Sequence, residues 1–218
     1  MTYTPLDVAA RYFRSGADKV SIGSEAVTAA EAYRARGGAC DGSSAIEAIA
    51  AVYGRQAVVV SVDPRRVWLG SAGAVAEAEA AGHCVLAPAG AHGPGGESQC
   101  WYQCTIKGGR EGRPVCAVTL ARAVEALGAG ELLVNCVDAD GQKGGFDTVL
   151  LQAVCSAVSI PVIASSGAGC AAHFGQVFQA TRVEAALAAG IFHRKEVAIA
   201  EVKAHLVQEG VETRTTPA

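Results

Sequence analysis

Strand-like and helix-like patterns take turns along this chain, and no other feature restricts its fold as strongly. "TPLDVAARYFRSG" carries helix punctuation, with Thr4 as cap, Pro5 in the first turn and Gly16 as stop. Leu6, Ala9, Ala10 and Phe13 mark the face expected to be buried. "DKVSIG" follows as a short strand, and a second helix is predicted over Glu25 to Arg36. "SAIEAIAAVYG" opens on a Ser44-x-x-Glu47 capping box and stops at Gly54. The continuous apolar run in "QAVVVSVD" suits a strand covered on both faces. Further along, "ELLVNCVDADG", "IPVIASSGAG" and "EAALAAGIFH" read as strands. Helices are predicted in "VTLARAVEALGAG", "DTVLLQAVCSAV", "AAHFGQVFQAT" and "EVAIAEVKAHLVQEG". Inward positions there are Leu120, Val124 and Leu127; Leu150, Val154 and Ala157; Phe174, Val177 and Phe178; and Ile199, Val202 and Leu206.

Five strands, each followed by a helical stretch, demand a parallel sheet with helical crossovers. An open doubly wound sheet and a (β/α)₈ barrel both satisfy that order. Either architecture houses ligands at the C-terminal ends of its strands. Those ends are Gly23-Ser24, Asp63, Asp138 to Asp140, Ser165 to Gly167, and Ala189-Gly190.

The alternation is interrupted between Val67 and Gly109. An Ala/Gly-rich stretch at about residues 68–99 shows no clear period and is expected to be a flexible surface insertion within a single domain spanning 1–218. "CWYQCTIKGG" looks like an extended segment returning from it. With 218 residues, half of them hydrophobic, the chain is ample for one sizeable core. A net charge of −3 gives no footprint for nucleic acid or an anionic membrane. No apolar run is long enough for a spanning helix, and the opening residues lack the pattern of a secretory signal. The eight cysteines form no C-x-x-C pair and are expected as free thiols, not as a zinc site.

Chemistry is most legible where "PVIASSGAG" ends. Ser165, Ser166, Gly167 and Gly169 offer hydroxyls and main-chain N–H groups at a strand end, and the next strand end is equally bare around Ala189 and Gly190. Two such neighbours suit a phosphate group. Tight turns that use glycine for positive φ are the alternative. Asp63 ends the most apolar strand and is a candidate general acid or base, or else a turn-capping aspartate before Pro64. Asp138 and Asp140 lack the remaining ligands of a calcium loop, so substrate hydroxyl recognition or an Asx-turn is expected and no metal. No nucleophile elbow or Cys/His dyad is evident.

Six ordered segments, "GADKVSIG", "QAVVVSVDPRRV", "CWYQCTIKGGRE", "ALGAGELLVNCVDADGQKGGFD", "IPVIASSGAG" and "AALAAGIFHRKE", resemble the cyclase part of the imidazole glycerol phosphate synthase family. The "CWYQCTIKGGRE" stretch and the insertion before it resemble the fused glutaminase–cyclase form of fungi and plants. The resemblance implies a (β/α)₈ TIM-barrel fold and a lyase of histidine biosynthesis with no cofactor. Ammonia from a glutaminase partner would be joined to a phosphoribulosyl-formimino aminoimidazole carboxamide ribonucleotide, releasing imidazole glycerol phosphate and the carboxamide ribonucleotide. By position, it makes Asp63 one of two catalytic aspartates. Ser165, Ser166, Gly167, Ala189 and Gly190 become one phosphate site, and Gly23 and Ser24 part of the other, where the family often has Asn-Thr. Asn135, Asp138 and Asp140 become substrate-lining positions. Lys19 and Glu131 become half of a charged gate for ammonia, with Asp18 facing the glutaminase.

The five strands would then be the fourth to eighth of an incomplete barrel, the first three and their aspartate being absent. Expectations follow for the isolated chain: self-association through open sheet edges, phosphate binding without turnover, and residence in the cytoplasm or plastid stroma without nucleic-acid or membrane partners. Rival readings are the sister isomerase barrel of the same pathway, a non-catalytic phosphate-binding remnant, and an unrelated open-sheet nucleotide binder.

Overall fold

In a computed structural model that describes residues 4–88 and 90–215, the elements run in the order the alternation requires. Helix α1 (Pro5–Arg14) is held by a capping box in which Thr4 Oγ1 accepts from the Asp7 N–H at 3.2 Å. Strand β1 (Val20–Ile22), α2 (Ser24–Ala35) and α3 (Ala45–Tyr53) follow, α3 opening on the Ser44/Glu47 box and stopping at Gly54 with φ +86°. Strand β2 (Val58–Val62) is dry, with Val58, Val60 and Val62 fully buried.

The insertion departs from expectation. β3 (Pro64–Trp68) leads into it, α4 (Ala72–Ala80) and β4 (Val85–Leu86) lie within it, β5 (Cys100–Ile106) and β6 (Glu111–Cys116) follow it, and β3, β4 and β6 each pair antiparallel with β5. Ala78, Trp101, Cys116 and Val118 form a small core there, and His83 stacks on Trp101 with ring centroids 3.7 Å apart. Periodicity failed for a physical reason: "AGAVAEAEA" has little hydrophobic contrast to display, yet alanine is the best helix former and Ser71 Oγ caps the Ala74 N–H at 3.1 Å.

The remaining elements are α5 (Ala117–Leu127), β7 (Glu131–Asn135), α6 (Thr148–Ala157), β8 (Val162–Ser165), α7 (Ala171–Ala180), β9 (Ala185–Ala186), α8 (Gly190–His193) and α9 (Ile199–Gln208). "EAALAAGIFH" is thus a two-residue strand followed by a short helix, because Gly190 to His193 turn helical where a longer strand was predicted. Ile199 is exposed, since Val202 and Leu206, four apart, set the inward face of α9.

Strands β1-β2-β7-β8-β9 form one all-parallel sheet, in that spatial order. Such a sheet with helical crossovers is the architecture of the (β/α)₈ TIM-barrel family; among the described residues β1 and β9 each pair on one side only. Helix α5 touches α2 and α6, α6 touches α7, and α7 touches α9. In β7, Leu132 and Val134 are buried while Glu131, Leu133 and Asn135 alternate with them and are only half-buried. Period-two geometry therefore puts Glu131, Leu133 and Asn135 on one face of β7.

Candidate functional site

The C-terminal ends of β2, β7, β8 and β9 open into a cavity of about 650 Å³. Asp63, Asn135, Asp140, Ser165, Ser166, Gly167, Ala189 and Gly190 all line it. Register explains the first pair: Val62 lies beside Val134, so the next residues, Asp63 and Asn135, are adjacent at the strand ends. Asn135 Nδ2 donates to Asp63 Oδ1 at 2.8 Å and to Ser61 Oγ at 3.2 Å, and Ser61 Oγ donates to the same Asp63 oxygen at 3.3 Å. The Asp63 carbonyl accepts from Thr105 N–H at 3.1 Å and from its hydroxyl at 2.6 Å, pinning the strand end to β5.

The two bare strand ends meet in that cavity. Ser166 has φ +72° and Gly167 φ +97°, so the chain turns sharply after β8. Main-chain N–H groups of Gly167, Ala168, Gly190 and Ile191 donate to no acceptor among the described residues. Glycine at 167 has a reason of its own: a Cβ there would lie 2.0 Å from the Gly145 carbonyl oxygen. The Gly145 N–H in turn donates to the Gly167 carbonyl at 2.9 Å, clamping the β7–α6 loop onto the β8–α7 loop. Gly167 therefore sits in a turn that needs positive φ, and the lining around it is stripped of side chains.

Two cations reach the same cavity, Lys143 from the β7–α6 loop and Arg194 from the end of α8. Glu196 accepts from Lys143 Nζ at 2.8 Å and from Arg194 Nε at 2.7 Å. Hydrogen bonds from Arg194 and then Lys143 pull the Glu196 carboxyl down to about 2.

Other candidate positions lie elsewhere. Asp138 turns out of the main cavity: its Oδ2 accepts from the Arg66 N–H at 2.7 Å, and it lines a separate recess of about 300 Å³. Gly23 and Ser24 border a third recess of about 450 Å³, separated from β8 by β2 and β7. Ser24 Oγ there accepts from the Lys107 N–H at 2.9 Å. Asp18, Lys19 and Glu131 sit at the opposite, N-terminal end of the sheet, where Lys19 pairs with Glu131 and Asp18 is exposed. Among the described residues no three His, Cys, Asp or Glu side chains gather as a metal site would require, and every described cysteine is a free thiol. No described helix is long and apolar enough to cross a membrane.

A family model described as "Histidine biosynthesis protein" matches residues 4–198. The chain belongs to this family. Among curated relatives, the chloroplastic imidazole glycerol phosphate synthase hisHF of Arabidopsis thaliana is 56% identical over 212 residues, which is 97% of this chain and 34% of that protein. The Emericella nidulans imidazole glycerol phosphate synthase hisHF is 53% identical over 210 residues, 96% of this chain and 37% of that protein. The Haloarcula marismortui imidazole glycerol phosphate synthase subunit HisF is 41% identical over 201 residues, 92% of this chain and 63% of that subunit. The chain thus spans about a third of the fused relatives it matches.

Within this histidine biosynthesis family member, sequence reasoning passed over Lys143, Arg194 and Glu196, whose only sequence signal is charge beside glycine in "DGQKGG" and "AGIFHRKE". It also passed over a buried polar cluster at the recess that Asp138 lines. The Asp147 carboxylate there pairs with Arg66 and accepts from the Tyr102 hydroxyl at 2.7 Å and the Leu150 N–H at 3.0 Å. Burial and the neighbouring carboxylate push the Tyr102 hydroxyl upward, and burial raises the Cys136 thiol to about 12. Arg66 lies in β3 and Asp147 caps α6, so the cluster ties the antiparallel insertion to the loop that carries Asp140 and Lys143.

Proposed function

We propose that this chain is the cyclase portion of an imidazole glycerol phosphate synthase. It uses ammonia released from glutamine by a glutaminase to convert the phosphoribulosyl-formimino aminoimidazole carboxamide ribonucleotide to imidazole glycerol phosphate and the carboxamide ribonucleotide. The observation that carries this reading is the sharing of one cavity by the Asp63–Asn135 pair and by two stripped strand ends. One phosphate of the substrate sits on N–H groups from Ser166 to Ala168 and from Gly190 to Ile191, with the Ser165 and Ser166 hydroxyls beside it. Gly23 and Ser24 contribute to the seat of the other phosphate, and Asp140 borders the substrate.

Asp63 supplies acid and base steps at the reacting centre. Asn135 and Ser61 both donate to Oδ1, which leaves Oδ2 to exchange protons with the substrate as the imine forms and the ring closes. The glutaminase docks at the opposite end of the sheet, by Asp18, Lys19 and Glu131. Support comes from alternation along β7, which aligns Glu131, Leu133 and Asn135 on one face; four residues of strand span about 13 Å, a direct line from the ion pair to Asp63. The Arabidopsis relative is named chloroplastic, which supports a plastid location for this chain.

Calorimetric titration of the chain with imidazole glycerol phosphate tests the seat. Binding is expected for the natural sequence and loss of binding for Ala189→Asp, which sets a carboxylate against the phosphate. Equal affinity of the two, or no binding by either, would overturn the reading. Ammonium-dependent turnover by a whole synthase carrying this chain is expected to vanish in Asp63→Asn.

A further inference from the structure

The glycines that strip the cavity also admit cations. A Cβ on Gly169 would lie 2.4 Å from the Lys143 carbonyl oxygen, so the bare position lets the Lys143 backbone close against the β8–α7 loop. Lys143 itself takes φ +57°, an uncommon conformation for a side chain-bearing residue. A Cβ on Gly190 would lie 2.9 Å from both terminal nitrogens of Arg194, so the guanidinium lies directly over that strand end. Two positive charges from separate loops thus converge on the phosphate seat, and one carboxylate, Glu196, holds both. The three side chains are 45%, 54% and 32% exposed, respectively, so they stand at the rim where a ligand enters.

Charge balance gives this arrangement a purpose. Glu196 carries one negative charge against two cations, and the cavity's other carboxylates, Asp63 and Asp140, form no ion pair with Lys143 or Arg194 among the described residues. A phosphate ester dianion arriving at the N–H groups offers more charge than Glu196 does. We propose that Glu196 is a positioning residue, an internal stand-in anion that parks Lys143 and Arg194 at the rim until a phosphate ester displaces it. The inference rests on the phosphate seat of the preceding subsection and adds to it the two cations and their competitor. Its consequence is selectivity: weakly charged anions do not free the cations, and a product phosphate is released more readily because Glu196 reclaims them.

Titration with inorganic phosphate, by calorimetry or phosphorus NMR, tests this on the chain itself. Glu196→Gln removes the competitor and is expected to tighten phosphate binding about fivefold. Lys143→Met and Arg194→Met are expected to weaken it by about the same factor, and Lys143→Arg to restore it. Thermal unfolding run alongside separates a loss of charge from a loss of fold. If Glu196→Gln binds phosphate equally or more weakly while Ala189→Asp still abolishes binding, the stand-in role is wrong and the seat survives. If the natural chain takes up no phosphate at all, seat and stand-in fall together.

Discussion

Asn135 donates a 2.8 Å hydrogen bond to the carboxylate of Asp63 across the ends of two neighbouring parallel strands. The two residues are 72 positions apart in the chain, and sheet register alone makes them partners. Asn135→Ala is therefore expected to slow ammonium-dependent turnover while leaving substrate affinity nearly unchanged, because it disorients Asp63, the proposed proton-transfer group, and leaves the proposed phosphate seat intact. A change confined to KM would contradict that role for Asn135. The measurement is the split of kcat from KM for the whole synthase.

Gly167→Ala is expected to destabilise the fold by about 2 kcal/mol or more, through positive φ and through collision with the Gly145 carbonyl. Urea unfolding compared with Gly16→Ala, which also has positive φ but no neighbour within 4 Å of its missing Cβ, isolates the steric part. Equal losses at the two positions would show that close approach contributes nothing.

Removing the Asp147 side chain takes from Arg66 and Tyr102 the acceptor they share. Asp147→Ala is expected to cost about 3–5 kcal/mol, the range for deleting one partner of a buried ion pair, since the side chains of Asp147 and Arg66 are 3% and 18% exposed. Denaturant unfolding of the variant checks this, and a loss below about 1 kcal/mol would place the pair among solvated ones.

The Glu196 carboxyl, lowered to about 2 by Arg194 and Lys143, implies a pH dependence with a definite sign. A folded pKa below the ordinary 4.5 adds stability that is complete above 4.5 and disappears as pH falls toward 2. The stability difference between the natural chain and Glu196→Gln should therefore shrink as pH drops through that window. A difference that stays constant from pH 5 to 2 would mean Glu196 titrates alike in both states.

Lys19 and Glu131 form an ion pair whose lysine is 45% exposed, so Lys19→Met should cost at most about 1 kcal/mol of stability. In the whole synthase the same change is expected to lower glutamine-dependent synthesis more than synthesis fed with ammonium salts. Parallel losses from both nitrogen sources would remove this end of the sheet from the ammonia route.

Local patterns carried much of this structure. The Thr4 cap, the Ser44/Glu47 capping box, the dry run of β2 and the glycine stops are short-range features, and all appear where the sequence places them. Strand-helix alternation likewise determined a parallel sheet, because parallel strands need crossovers and helices supply them. The bare stretches at Ser165–Gly167 and Ala189–Gly190 were legible for the same reason, as composition changes at strand ends. Tertiary structure alone decided what stands against them. Lys143 and Glu196 are 53 residues apart, Arg66 and Asp147 are 81 apart, and no periodicity reports pairings at such distances. Asp138 and Asp140, two residues apart and alike on paper, part company because the Arg66 N–H turns one of them away. The order within the insertion escaped notice because alanine forms helices without a hydrophobic stripe, and it shows only once Trp101 and β5 give the segment something to pack on.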